Sequence, residues 1–124
     1  ILLKSRPGFN VLVGTGSALM AALAVGVTGG VLALADVAPR ESAALFRLCQ
    51  SGQWEEARAL QSRLLSVNQA VTGTYGIPGL KAAMDMLGYY GGAPRLPLLP
   101  LGSEEKGRLR DVLVTAQLLQ EGER

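Results

Sequence analysis

No side chain between Phe9 and Ala35 carries a charge. An apolar stretch of roughly 18 residues or more is long enough to cross a bilayer. This run therefore decides between a membrane segment and a buried core. Gly14, Gly16, Gly26, Gly29 and Gly30 divide it into three pieces. Residues 10–13 are short, with β-branched Val11 and Val13. Residues 17–25 are rich in alanine, leucine and methionine, which favour a helix. Residues 31–34 form a second short apolar run. The pattern predicts strand, helix, strand, with both strands fully buried and parallel across a helical crossover beginning near Ser17. One continuous helix is the membrane alternative. A signal peptide fits worse, because the run is too long and has no clear cleavage pattern.

Charge collects in the rest of the chain. Of 12 basic and 10 acidic side chains, only Lys4, Arg6 and Asp36 fall in residues 1–37. Beyond them, lysines and arginines alternate with glutamates, without a basic stripe interleaved with aromatics. This reads as solvated helix faces and excludes a nucleic-acid footprint. The sequence has no histidine, which removes Ser-His-Asp and Cys-His triads and His-ligated zinc. A single cysteine, Cys49, excludes a disulfide framework and a cysteine-built metal site, and fits a reducing compartment. No cofactor and no metal are expected.

Helical signals fill residues 39–119. Pro39 and Glu41 suit a helix start, with Leu45, Leu48 and Cys49 on one face and Ser51-Gly52 at the end. A second helix opens at Gln53 or Trp54, and its apolar stripe runs through Ala57, Leu60, Leu64, Val67 and Val71. Ile77, Leu80, Met84 and Leu87 predict a short third helix, stopped by Gly88. Residues 89–101 read as a glycine- and proline-rich loop. Ser103 is the expected N-cap of a last helix, with Glu104 and Glu105 at its positive end and Leu109, Val112, Leu113 and Ala116 facing inward. The tail from Gln120 is expected to fray. Two parallel strands cannot form a stable sheet alone. The expectation is therefore a C-terminal portion of a larger α/β domain, consistent with a first residue, Ile1, that is not methionine.

Candidate chemistry is sparse. Val13-Gly14-Thr15-Gly16 is a strand followed by a Gly-x-Gly turn, which can hold an anion on backbone N–H groups. Leu19 occupies the place of the dinucleotide fingerprint's third glycine, so turn geometry is the stronger reading. Asp36 follows the second strand, with hydrogen bonding of the next turn as its expected role. Cys49 is expected in the core. Lys81 could form a Schiff base if desolvated, but a snorkelling surface lysine is the favoured reading. Lys4 has no sign of a site around it. Tyr89 and Tyr90 could line a pocket, but loop packing is the favoured reading.

Several segments in order resemble one family. Gly8-Phe9-Asn10-Val11-Leu12-Val13-Gly14 and Gly29-Gly30-Val31-Leu32-Ala33-Leu34-Ala35-Asp36 look like strands seven and eight of the dihydrodipicolinate synthase / N-acetylneuraminate lyase family. Gly52-Gln53-Trp54-Glu55-Glu56-Ala57, Tyr75-Gly76-Ile77-Pro78-Gly79-Leu80-Lys81 and Gly88-Tyr89-Tyr90-Gly91-Gly92 look like its C-terminal helical region. Within the family, the run from Gly76 to Gly92 is most similar to the 4-hydroxy-2-oxoglutarate aldolases.

The resemblance implies an α/β fold: the C-terminal part of a (β/α)8 TIM barrel, strands 7–8, followed by a C-terminal helical bundle. Residues 1–52 would be the last βα units and residues 53–124 the helical region. It implies a class I aldolase acting on pyruvate and related 2-oxo acids through a Schiff base, in a homotetramer. The cytoplasm is the implied compartment, with the mitochondrial matrix as the alternative. The Schiff-base lysine would lie upstream of Ile1, among roughly 170 preceding residues of a full barrel, so no catalytic residue is expected in this chain. Gly14 and Val31 carry over as substrate-facing positions. Asp36 departs from the family's usual asparagine, which puts the turn there in question. A non-catalytic binding or assembly module and a membrane-associated protein are the alternatives.

Overall fold

A computed structural model describes residues 6–120, so Lys4 and the last four residues of the tail lie outside the described residues. The chain opens with β1 (Leu12–Val13), a 3-10 turn (Gly16–Ala18), α1 (Leu19–Ala24) and β2 (Gly29–Gly30). Then come α2 (Leu34–Val37), α3 (Pro39–Gln50), α4 (Trp54–Gln69), a π-helical segment (Ala70–Thr74), α5 (Gly76–Met86) and α6 (Ser103–Thr115). β1 and β2 are parallel, with Leu12 opposite Gly29 and Val13 opposite Gly30. The expected crossover is therefore present. No described helix is long and apolar enough to cross a membrane.

The second strand differs from the sequence reading. Pairing falls on Gly29-Gly30 rather than on residues 31–34, and the chain turns helical immediately afterwards. Ala35 N–H donates to Leu32 O at 3.0 Å and Asp36 N–H to Ala33 O at 3.2 Å. Leu32 and Leu34 are buried as expected, but as the lead-in and first residue of α2. Among the described residues five α-helices and one π-helical segment follow β2, where four helices were expected. The first strand is also shorter than residues 10–13, although Thr28 N–H still donates to Val11 O at 3.0 Å. Nor are the strands buried: Leu12 is 54% exposed and Val31 74%. A parallel strand is covered on both faces only when flanking strands and helices are present. Among the described residues the sheet has two strands.

α3 forms as its sequence dictates. Pro39 stands in the first turn, where its missing N–H costs nothing, with Glu41 near the helix start and Arg47 near its end. Ser42, Leu45 and Cys49 are its buried positions. Gly52 then takes a φ of +73°, a left-handed conformation that releases the chain into α4. α4 buries Ala57, Leu64 and Val67 as expected, and Val71 follows in the π-helical segment. Two polar side chains, Gln61 and Asn68, share that face. Trp54 opens α4 as expected and is exposed there.

α5 packs Leu80, Met84 and, at its C-cap, Leu87 partly against the core as predicted, but its fully buried positions are two small residues and Ile77 departs from the predicted face. Gly79 and Ala83 point inward and Ile77 is 54% exposed. Small residues four apart permit close packing, so the bulky side chains stay at the flanks. α6 starts from Gly102, not Ser103, as its N-cap. The Gly102 N–H donates to the Glu105 carboxylate at 2.9 Å, one half of a capping box. Leu109, Leu113 and Ala116 are buried as expected. One hydrophobic cluster holds the chain together, joining Leu19, Leu23 and Leu34 to Leu64, Val67, Leu109 and Leu113.

Candidate functional site

The turn after β1 is the feature with the most defined geometry. Val13 and Gly30 are register partners, and Val31 N–H donates to Val13 O at 3.0 Å. Gly14 and Val31 therefore each follow their own strand at adjacent positions, at the carboxyl ends of β1 and β2. Gly14 borders open space: a Cβ there would meet nothing within 4 Å. Val31 also stands in the open. The two residues singled out from the sequence as substrate-facing are thus side by side and accessible.

Gly16 is the opposite case. It is buried, and a Cβ there would lie 2.6 Å from Leu34 Cδ2 and 2.7 Å from Asn68 Oδ1. Its glycine identity is explained by close packing beneath the turn. The Gly-x-Gly sequence thus combines one open glycine with one packing glycine, which accords with turn geometry over a nucleotide fingerprint.

The turn is held by a residue that sequence reasoning missed. Gln61 on α4 donates from Nε2 to Gly16 O at 3.0 Å and accepts the Met20 N–H on Oε1 at 3.1 Å. Met20 lies in the first turn of α1, where a backbone N–H has no intrahelical partner. An amide matches both needs, because it carries a donor and an acceptor. The only sequence signal was a glutamine interrupting an apolar stripe, between Leu60 and Leu64. Asn68 also faces the turn, and its buried Oδ1 has no hydrogen-bond partner among the described residues.

The remaining candidates lie elsewhere. Asp36 is exposed in the first turn of α2. Cys49 is buried, and desolvation pushes its thiol pKa up, which suits a core residue and not a nucleophile. Lys81 is half-buried, with Nζ donating to the Gly91 carbonyl. It anchors a loop where a snorkelling side chain was expected. Tyr90 does not pack the loop core: it is 88% exposed and lines a cavity of about 570 Å³ with Lys81, Asp85, Met86 and Lys106. No group of acids and cysteines suited to a metal ion occurs among the described residues.

The family model of the dihydrodipicolinate synthetase family matches residues 1–116. The chain belongs to that family. A 4-hydroxy-tetrahydrodipicolinate synthase of Gluconacetobacter diazotrophicus is 35% identical to this dihydrodipicolinate synthetase family chain over 117 residues, 94% of the chain and 39% of the relative. One of Methanothrix thermoacetophila is 38% identical over 114 residues, 91% of the chain and 38% of the relative. The chain thus spans about two fifths of the length of these relatives. The crystal structure of dihydrodipicolinate synthase from Aquifex aeolicus superposes with a TM-score of 0.83 at 31% identity, covering 98% of this chain and 42% of that one. A dihydrodipicolinate synthase from Bacillus anthracis gives 0.86 at 31%, covering 91% and 39%. The chain has the α/β fold of the part of those structures that it covers.

Proposed function

We propose that this chain is the C-terminal portion of a Schiff-base-forming class I aldolase acting on pyruvate and related 2-oxo acids. Residues 1–52 supply strands seven and eight of a (β/α)8 barrel, and residues 53–124 supply the helical region that follows. The observation that carries the reading is the placement of Gly14 and Val31 side by side at the carboxyl ends of two parallel strands. Barrel enzymes bind substrate at that end of their strands. Membership of a family whose relatives are named as synthases supports the same reading.

In this proposal a lysine amine attacks the ketone of the 2-oxo acid and water leaves, giving an iminium. The iminium accepts the electron pair released when the carbon–carbon bond breaks. The amine belongs to the part of the family fold that this chain does not span. Lys81 is engaged with Gly91 in the helical region, away from the strand ends. Gly14 and Val31 shape the wall that the substrate meets. Within the family, the run from Gly76 to Gly92 resembles enzymes that cleave 4-hydroxy-2-oxoglutarate to pyruvate and glyoxylate, while the relatives named as 4-hydroxy-tetrahydrodipicolinate synthases support a dihydrodipicolinate synthase-like reaction as the other substrate reading. The homotetramer implied by the resemblance belongs to this proposal and is read by sedimentation of the full-length protein.

Borohydride reduction with pyruvate tests the reading. The full-length protein is expected to gain a reduced adduct on a lysine preceding Ile1, and the 124-residue chain none. An adduct on Lys4 or Lys81 overturns the assignment of the nucleophile. A full-length protein without any adduct leaves a non-catalytic binding module.

A further inference from the structure

We propose that Gln61 is a positioning residue for the substrate-facing turn at Gly14. The inference rests on the aldolase reading above. Gln61 is buried on α4, and an unpaired amide there would be costly. Both halves of the amide are paired, one with the turn and one with the helix start that follows it: Nε2 with Gly16 O and Oε1 with Met20 N–H. The two contacts bracket the 3-10 turn Gly16–Ala18 from a helix more than 40 residues further along the chain. On its inner side the turn has no room to shift, because Gly16 is pressed against Leu34 and Asn68. Two residues upstream, Gly14 borders open space. The turn is therefore fixed from below and open above. This is how a supporting side chain holds a backbone group at a reacting centre.

A leucine fits the apolar stripe better than glutamine does, so core packing alone gives no reason for an amide. The directional pair of hydrogen bonds does. A neutral glutamic acid also carries one donor and one acceptor, whereas its carboxylate can only accept. Gln61→Glu should therefore lose the bond to Gly16 O when ionised and regain it when protonated. Burial raises the pKa of such a carboxyl and brings the change toward the working range.

The test uses the full-length enzyme with Gln61→Leu and Gln61→Glu, assayed well below each variant's own Tm. Gln61→Leu is expected to lower kcat/KM for the 2-oxo acid by about tenfold to a hundredfold in fully folded molecules. Gln61→Glu is expected to match that loss at alkaline pH and to recover toward wild type as pH falls. A Gln61→Leu enzyme with wild-type kcat/KM, whatever its Tm, overturns the proposal. So does a Gln61→Glu enzyme whose pH profile parallels wild type, and this second arm decides alone if Gln61→Leu does not fold. A wild type that pyruvate and borohydride fail to label overturns the aldolase reading and the Gln61 role together. A labelled wild type with indifferent variants overturns the Gln61 role alone.

Discussion

Asp85 and Gly91 are joined across the end of α5: the Gly91 N–H donates to Asp85 Oδ1 at 2.8 Å. The Gly91 carbonyl in turn accepts from Lys81 Nζ. A helix carboxylate and a helix ammonium one turn apart thus hold the two faces of a single loop residue. Gly91 is buried, and a Cβ on it would overlap the Lys81 carbonyl. The overlap is with backbone, which cannot move aside as a flexible side chain could. Gly91→Ala is expected to destabilise the protein by about 1–3 kcal/mol and to speed proteolysis within residues 88–101. A urea midpoint and cleavage pattern equal to wild type would show that the loop is held by other contacts.

Leu64 is fully buried at the centre of α4. Leu64→Ala is expected to cost about 2–5 kcal/mol, the range for truncating a core leucine, measured by equilibrium unfolding. Its KM for substrate should stay at the wild-type value, because Leu64 lies in the core and not at the strand ends. Unchanged stability with lost substrate binding would show that α4 has been given the wrong role.

Gly16→Ala is expected to be far more damaging than Gly14→Ala. The first puts a methyl group against Leu34 and Asn68, while the second meets open space. Thermal unfolding of the two variants should show Gly16→Ala as the less stable, by about 1–3 kcal/mol. Equal Tm values would contradict the packing described beneath the turn.

Burial pushes the Cys49 thiol up from its ordinary value. The thiol of the unfolded chain therefore ionises first as pH rises. Stability contributed by this group is fully present below about pH 8.5, the ordinary thiol value. It declines in the alkaline range as pH climbs toward the folded value. Alkylation by iodoacetamide at neutral pH is expected to require unfolding. Cys49→Ala should remove this part of the alkaline loss, read from unfolding midpoints between pH 8 and 10.

Regular periodicity made α3, α4 and α6 legible, because Leu45, Leu64 and Leu109 recur at helical spacing with polar neighbours between them. The strand after the crossover was misplaced for a physical reason. Gly29 and Gly30 have no side chains to register a strand, and the apolar residues after them signal burial equally well in a helix. Ile77 misled for the complementary reason: α5 packs most closely through Gly79 and Ala83, with Leu80 and Met84 partly buried beside them, and Ile77 is left on the exposed side. Gly14 was singled out by its turn, but its substrate-facing role and that of Val31 rest on the family resemblance. Gln61 was not found, because its role lies in two backbone partners at positions 16 and 20, and no local pattern records a bond across 45 residues.

That separation has a consequence in time. A ribosome adds about 5–20 residues per second. The Gly16 carbonyl is therefore made roughly 2–9 s before the glutamine, 45 residues later, that will bind it. For that interval Gly16, the carbonyl beneath the turn, is hydrated or borrowed by some other donor. Its final partner arrives only midway through a helix that is still being synthesised. The loop closed by the Gln61 contacts is long enough that its formation waits on the docking of α4. The turn thus acquires its fixed shape late in the life of the nascent chain.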